Sequence, residues 1–288
     1  MVINMLNSPI KPMLLHKSNN VPNGDYLHQL KWDGFRSLLH YDNGQVKLFT
    51  RNQNECTLQF PEMKNIELNV QNAILDGEMI VLDESNKPCF ESVMSRFQAS
   101  NELSIKRGTK TLPTHFVAYD ILFLNDQDIT KLALEDRLKH LYNVVHFSKE
   151  ISACESFEDG EELFHSVSKM GLEGIVSKRK GSKYTLDTRS HDWVKVKNYQ
   201  FEEVEIAAIR KDQFAWSLTK NGKYVGVTEF VPPDEKKAFN QISKQIIRNE
   251  DKNWIYLEPL IKCKVKFQCW TKSGLMRSPS FVEFVLDA

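Results

Sequence analysis

The sequence predicts an α+β fold in two domains, residues 1–199 and 200–288. In the first part of the chain, apolar segments with strand and helix periodicity are mixed without a regular βαβ repeat. No GxGxxG segment occurs, which argues against a dinucleotide-binding parallel sheet. In the last third the pattern changes to short strands separated by turn residues, so we place the boundary near residues 198–202.

Strands dominate the predicted first domain. Residues 26–52 predict a hairpin with strands at 26–32, 35–41 and 46–51 and a tight turn at Asp42-Asn43-Gly44. Further strands are predicted at residues 74–82, 115–124, 172–178 and 192–197, and helices at residues 90–97, 134–144 and 158–170. Residues 106–110 read Lys-Arg-Gly-Thr-Lys and predict an exposed basic loop.

The second domain is predicted to contain four or five strands and one helix. Strands are expected at residues 204–210, 215–219, 224–230 and 260–271, and a helix at residues 234–247. Asn221-Gly222 predicts the turn of a hairpin. This content suits a small barrel of the OB type, and a generic antiparallel α+β domain is the alternative.

Composition sets broad limits on the class of protein. The chain has 38 Lys+Arg and 38 Asp+Glu, so its net charge of zero neither supports nor excludes a nucleic-acid partner. The five cysteines show no metal-binding spacing, and reduced thiols are the simplest interpretation. No apolar run is long enough to span a bilayer, and no secretory leader is visible. We therefore expect a cytoplasmic protein with no membrane contact.

Residues 31–36 read Lys-Trp-Asp-Gly-Phe-Arg and place Lys31 at the end of an apolar strand, just before an Asp-Gly turn. A lysine amine becomes a nucleophile when burial or neighbouring cations lower its pKa. Arg36 is close enough in sequence to share the site, and Arg51 can return to it across the predicted hairpin. Taken alone, a Lys-x-Asp-Gly segment is more often a solvated turn, and a surface arginine is the alternative for Arg51.

A second group of candidates lies in the strands that follow. Glu78 comes directly after Asp76 and Gly77 in an apolar strand, where a carboxylate is costly unless it is paired or binds a metal. A hairpin turn at Asp-Gly is the alternative. Phe116 or Tyr119 could stack on a purine, although core packing is the more frequent fate of such a strand, and the pattern does not separate the two aromatic residues.

The last two strands of the predicted first domain add cations. Glu173 and Lys178 stand near opposite ends of one apolar run. Lys195 and Lys197 alternate with two valines, so both lysines point to one strand face. Two like charges on one face suit a shared anion such as a triphosphate, and a solvated edge strand is the alternative.

These segments in this order resemble the motifs of the ATP-dependent DNA ligases. The chain is especially similar to the ligase module of bacterial end-joining enzymes and to compact viral or phage ligases. The resemblance extends from Pro12 to Phe281. It implies a nucleotidyltransferase domain followed by an OB-fold domain. It also implies a monomer that seals nicked duplex DNA: Lys31 is adenylated by ATP with Mg²⁺, AMP passes to the 5′-phosphate, and the 3′-hydroxyl displaces it.

The resemblance further implies roles for individual residues. Arg36 and Glu78 would hold the ribose, Phe116 the adenine with Tyr119 as the reserve choice, and Glu78 and Glu173 the metal. The full set of expected ATP contacts is Gln29, Leu30, Arg36, Arg51, Glu78, Phe116, Lys178, Lys195 and Lys197. Expected DNA contacts are Arg51, Lys106, Arg107, Lys110, Lys264 and Lys266, with Lys262 on the same strand face; a solvated face is the alternative for the strand lysines.

Two positions depart from the family pattern. Many relatives carry glutamate two residues before the nucleophile, where this chain has Gln29, whose amide oxygen can still accept from an exocyclic amine. Relatives also end in an Arg-x-Asp-Lys type motif, whereas this chain ends Val285-Leu286-Asp287-Ala288. Because those cations orient the pyrophosphate leaving group, we expect slow self-adenylation but better-preserved sealing of pre-adenylated nicks.

Two other classes of function compete with this interpretation. An RNA ligase or an mRNA-capping guanylyltransferase shares the lysine chemistry, but the segments at residues 173–178 and 193–197 favour the DNA ligase pattern. A non-catalytic binder of DNA ends is compatible with the missing terminal cations. The presence of Lys31, Glu78 and Glu173 argues against a binder.

Overall fold

The computed structural model describes residues 5–285, without the side chain of Asn7. The chain divides into two compact units, the first ending at Asn198 and the second beginning at Tyr199. Within the described residues, every helix is too short or too polar to cross a membrane. Leu286, Asp287 and Ala288, which belong to the divergent terminal motif, lie outside this range.

The first unit contains eleven strands and four helices within the described residues. The strands are β1 (Leu14–Ser18), β2 (Tyr26–Leu30), β3 (Phe35–Asp42), β4 (Gln45–Thr50), β5 (Asn72–Ile80), β6 (His115–Leu124), β7 (Gln127–Asp128), β8 (Ile151–Ala153), β9 (Ser156–Phe157), β10 (Gly174–Arg179) and β11 (Arg189–Lys197). The helices are α1 (Phe90–Phe97), α2 (Glu102–Thr111), α3 (Leu134–Val144) and α4 (Gly160–Met170), with 3₁₀ turns at Met5–Asn7, Thr57–Gln59 and Pro61–Asn65.

These strands form two sheets. One has the order β1-β11-β10-β2-β9, with β1 and β11 parallel and the other neighbours antiparallel. The other has the order β4-β3-β5-β6-β7, with β8 added parallel to β6. Its apolar side packs with Val93 of α1 and Leu138 of α3 into a core that includes Leu39 and Leu75. The predicted strand over residues 115–124 and the helices over residues 90–97 and 134–144 are confirmed.

The predicted hairpin over residues 26–52 is half correct. β3 and β4 pair through a turn in which Asn43 and Gly44 have φ values of 48° and 85°. The inclusion of residues 26–32 is wrong, because β2 pairs with β10 and β9 in the other sheet. Gly34 makes this change of sheet possible, since a Cβ at this position would lie 2.1 Å from the Met79 carbonyl oxygen.

One alternative is excluded, and one further local prediction needs correction. β5 runs through residues 76–78 as a continuous strand, so Asp76-Gly77 is not a hairpin turn. Gly77 serves packing, because a Cβ there would lie 2.4 Å from the ring of Phe116. Residues 106–110 lie in α2 rather than in a loop, and Asn101 caps this helix by accepting from the Ser104 amide. Lys106, Arg107 and Lys110 are nevertheless exposed, as predicted.

The second unit is an antiparallel sheet with one helix. Its elements are β12 (Gln200–Arg210), β13 (Trp216–Lys220), β14 (Lys223–Thr228), α5 (Pro233–Ile242), a 3₁₀ turn at Ser243–Ile246, β15 (Ile247–Glu250), β16 (Trp254–Leu257), β17 (Lys262–Phe267) and β18 (Ser280–Val285). The Asn221-Gly222 hairpin is confirmed. The strand predicted at residues 260–271 is shorter, and β15, β16 and β18 are additional.

β12 organises this unit. One edge of β12 pairs with β13, and the other edge pairs first with β17 and then with β16. The core centres on Trp216, which contacts Phe239 of α5 and Phe281 of β18. A long strand shared between successive partners lets a small sheet curve around its core, in agreement with the predicted OB class.

Candidate active site

A cavity of about 570 Å³ in the first unit is lined by residues from both sheets. The predicted nucleotide-site residues that line it are Gln29, Leu30, Lys31, Arg36, Arg51, Glu78, Lys178 and Lys195. They come from six different strands or strand ends, so the fold brings together residues that are far apart in sequence. Cations outnumber carboxylates in this set, as an anionic ligand requires.

Lys31 is held at the end of β2 by backbone and side-chain contacts. Its amide donates to the Gly174 carbonyl at 2.9 Å. Its Nζ donates to Glu173 Oε2 at 2.7 Å, and the Lys197 Nζ lies 3.1 Å from the other carboxylate oxygen of Glu173. The nucleophile candidate therefore forms a partly buried ion pair.

The pKa directions follow from this pairing. Burial alone would lower the pKa of Lys31, but the negative charges of Glu173 and Glu78 outweigh burial and raise it above its ordinary value. Burial would raise the pKa of Glu173, but Lys31 and Lys197 outweigh it and lower that pKa. Lys31 is thus a protonated ammonium in this state, and it must lose a proton before it can attack an electrophile.

Two other ionisable groups of the cavity have strongly shifted pKa values. Burial raises the pKa of Glu78 to about 8, although the charge of Lys31 opposes the rise. Burial lowers the pKa of Lys178 to about 8, against the attraction of Asp120. Clustered groups with pKa values near the working pH are typical of binding and catalytic sites.

Arg36 is fixed by a network that sequence reasoning missed. Its guanidinium donates to both carboxylate oxygens of Asp76 and to the Met13 carbonyl. The Tyr184 hydroxyl donates to the same Asp76 carboxylate at 2.7 Å. No local pattern marks Tyr184, since it lies 108 residues from Asp76 in sequence. The network holds Arg36 rigidly against the cavity.

The assignment of Phe116 to the nucleobase is wrong. Phe116 is completely buried in the apolar core beneath Gly77 and does not line the cavity. Tyr119, the reserve choice, does line the cavity, with the Lys178 Nζ 5.1 Å from its ring centroid. Val176 also lines the cavity and was missed, although period-two alternation places it on the same strand face as Lys178.

The remaining predicted residues occupy other positions. Glu173 forms ion pairs with both Lys31 and Lys197, and neither Glu173 nor Lys197 lines the cavity itself. Lys264 and Lys266 lie with Lys262 on the less buried face of β17, opposite the buried Cys263, Val265 and Phe267. Lys264 is also 3.6 Å from a carboxylate oxygen of Glu283, so its charge is partly balanced.

The carboxylates near Lys31 are candidate ligands for a metal ion. Among residues 5–285 there is no group of three or more His, Cys, Asp or Glu side chains that could hold a metal ion alone. Mg²⁺ in phosphoryl-transfer sites usually takes one or two carboxylates together with substrate phosphates. The charge of Glu173 is close enough to Glu78 to raise the pKa of Glu78. These two carboxylates fit that donor set.

The cavity combines a lysine at a strand end with nearby carboxylates, cationic side chains that can hold phosphate and an aromatic side chain. This combination is typical of the nucleotidyltransferase class. Residues 4–197 match the family described as ATP dependent DNA ligase domain. The chain belongs to this family, the ATP-dependent DNA ligases. The match covers nearly the whole first unit, where all of the cavity residues lie.

Individual relatives agree with this assignment. The chain is 32% identical over 275 residues to the SPbeta prophage-derived DNA ligase-like protein LigB of Bacillus subtilis, covering 94% of this chain and 97% of LigB. It is 34% identical over 303 residues to the multifunctional non-homologous end joining protein LigD of Pseudomonas aeruginosa, covering 94% of this chain but 35% of LigD. Its fold resembles that of mycobacterial DNA ligase D complexed with ATP and MES, with a TM-score of 0.57 at 22% identity and coverage of 97% and 96% of the two chains.

Proposed function

We propose that this protein seals nicks in duplex DNA with ATP, through AMP carried on Lys31 and then on the 5′-phosphate of the nick. The observation that carries the proposal is the position of Lys31, which combines a 2.7 Å ion pair to Glu173 with access to a cavity lined by Arg36, Lys178 and Lys195. A lysine in such a place can be reached by the α-phosphate while neighbouring cations stabilise the charge that develops on it.

The first step forms a bond between Lys31 Nζ and the α-phosphorus and breaks the bond to pyrophosphate. The ammonium must first lose a proton, and the Glu173 ion pair opposes that loss. Mg²⁺ bound by Glu173 and Glu78 would compete for the carboxylate, lower the pKa of Lys31 and neutralise phosphate charge. Lys178 and Lys195 hold the α-phosphate in this proposal, and Lys197 keeps Glu173 in position.

The nucleoside of ATP occupies the other side of the cavity. Tyr119 provides the aromatic surface for the adenine, and Gln29 and Leu30 lie at its edge. Arg36 and Glu78 contact the ribose, while Arg51 binds the 5′-phosphate of the nick. The mycobacterial ligase with a similar fold holds ATP, which supports a nucleotide site in a fold of this kind.

All of the proposed ATP contacts come from one chain, so we propose a monomer. The cysteines within the described residues are free thiols, in keeping with work in the reducing cytoplasm. We also propose that residues 1–199 and 200–288 are the catalytic and OB domains.

A direct test of the proposed ligase activity supplies a nicked duplex with adjacent 3′-hydroxyl and 5′-phosphate ends, ATP and Mg²⁺. We expect a joined strand, and failure to join under these conditions contradicts the proposal.

The divergent C-terminus gives a prediction about the first step. The Val285→Arg, Ala288→Lys double variant should adenylate itself about tenfold faster, because cations there would orient pyrophosphate. Its sealing of pre-adenylated nicks should be nearly unchanged. Single-turnover measurements of both steps in the natural sequence and the variant decide the matter. Equal rate constants for each step in the two proteins would contradict the prediction.

The exposed basic face of α2 gives a prediction about DNA binding. Charge reversal at Lys106, Arg107 or Lys110 should weaken binding to nicked DNA roughly fivefold each and reduce its salt dependence. Lys139→Glu, an exposed site on α3, is the matched control and should change little. If the α2 variants bind no more weakly than this control, the contact is wrongly assigned. The same test applies to Lys264 and Lys266.

The lowered pKa of Lys178 predicts that ATP binding weakens above neutral pH. Lys178, with a pKa of about 8, loses its positive charge as pH rises through that value, and it holds the α-phosphate in this proposal. We expect the affinity of the unreactive Lys31→Ala variant for ATP to fall about tenfold between about pH 7 and 9. Calorimetry measures this directly. A flat profile would show that Lys178 does not hold the phosphates.

A further inference from the structure

Gln29 is joined to a short chain of hydrogen bonds that ends at a backbone carbonyl. Its Nε2 lies 3.0 Å from Ser156 Oγ, which lies 2.8 Å from the Tyr142 hydroxyl. The Tyr142 hydroxyl lies 3.1 Å from the carbonyl oxygen of Cys154. Ser156 stands directly opposite Gln29 in the pairing of β9 with β2, so the contact is built into the sheet.

The carbonyl sets the direction of every bond in this chain. A carbonyl oxygen accepts and cannot donate, so Tyr142 must donate its one hydroxyl hydrogen to the Cys154 carbonyl. Its oxygen then accepts from Ser156, and the Ser156 oxygen must accept from Gln29. The amino end of the Gln29 amide therefore faces Ser156.

The opposite end of the amide is an acceptor. Gln29 is only 1% exposed and lines the cavity, and its pairing partner Val176 on β10 lines the same cavity. An acceptor there complements the exocyclic amine of adenine. A guanine in the same place would present a carbonyl oxygen to another oxygen, which a dry site rejects strongly.

We propose that Tyr142 and Ser156 are positioning residues that fix the Gln29 amide with its oxygen toward the base, and so make this site select adenine over guanine. The inference rests on the proposed nucleotide site and deepens it. A carboxylate at this position would have no amino end and would need no such orientation. In this chain the Tyr142–Ser156 pair determines which end of the Gln29 amide faces the base.

The test compares ATP with GTP in the parent chain and in four variants. Tyr142→Phe frees the Ser156 hydroxyl to donate, which lets the amide turn its amino end toward the base. We expect the preference for ATP over GTP to fall at least about fivefold in Tyr142→Phe and in Ser156→Ala. In the Gln29→Glu, Tyr142→Phe double variant the preference should return, because a carboxylate accepts in either orientation. Tyr26→Phe removes a hydroxyl from the same sheet outside the cavity and should leave the preference unchanged.

Binding is measured in the Lys31→Ala background and labelling in the reactive chain. An ATP-to-GTP ratio unchanged by Tyr142→Phe and Ser156→Ala overturns the inference. Equal losses for both nucleotides also overturn it, because they indicate a merely structural role. If ATP binds selectively but no label reaches Lys31, the proposed lysine chemistry fails while the binding ratio still decides the role of Tyr142 and Ser156.

Discussion

Replacing Lys31 by alanine abolishes strand joining from ATP but spares the joining of nicks that already carry a 5′-adenylate. The first reaction needs the lysine as nucleophile and should fall about 10⁴-fold or more. The last needs only the 3′-hydroxyl and the surrounding cations, so it should persist at a reduced rate. Gel analysis of the two substrates side by side measures both reactions.

Two further variants separate chemistry from folding. Lys31→Arg keeps a positive charge for Glu173, but a guanidinium does not deprotonate, so it should fold normally and still fail to take AMP. Lys11→Ala removes an exposed lysine that pairs with Asp187, and it should retain full activity. ATP-dependent joining by Lys31→Ala at a rate close to that of Lys11→Ala would mean that another group carries AMP.

Replacing Gly174 by alanine should destabilise the first unit by about 3 kcal/mol or more and remove activity with it. Gly174 has a φ of 142°, and a Cβ there would lie 2.1 Å from the Val196 carbonyl oxygen. The carbonyl of the same residue accepts from the Lys31 amide, and Gly174 begins the cationic strand β10, so relief of the clash must displace the site. Urea unfolding measures the change in the free energy of unfolding.

Gly181→Ala is the matched control for this prediction. Gly181 also has a positive φ, 71°, but no atom lies within 4 Å of a Cβ built there. Its replacement should cost only the conformational strain of about 1–2 kcal/mol. If Gly174→Ala is no more destabilising than Gly181→Ala, the close approach of β10 to β11 is not what requires glycine.

The sequence revealed more of the site than of the sheets. Lys31, Glu78, Lys178 and Lys195 were found because ordered motifs mark them without any knowledge of strand pairing. The sheet of β2 was mispredicted because local pattern fixes strands but not their partners, and here the partners include β10, more than a hundred residues away. The strands β15, β16 and β18 were missed, and β15 is exposed throughout and shows no alternation.

The choice between Phe116 and Tyr119 shows the same limit. Residues three apart on a regular strand point to opposite faces, but the sequence does not show which of the two faces the cavity. Which face meets the cavity depends on how the two sheets pack, and that is a tertiary property. Tyr142 and Ser156 carry no motif at all, because their role depends on one cross-strand pair and one backbone carbonyl.

Mapping the residue that carries AMP shows whether Lys31 is the nucleophile. The protein is incubated with labelled ATP and Mg²⁺, freed of nucleotide, mapped by peptide mass spectrometry, and then given nicked duplex DNA. The account predicts AMP attached to Lys31 and its transfer to the 5′-phosphate of the nick, followed by a joined strand. AMP on a different residue, or AMP on Lys31 that nicked DNA does not discharge, would contradict it.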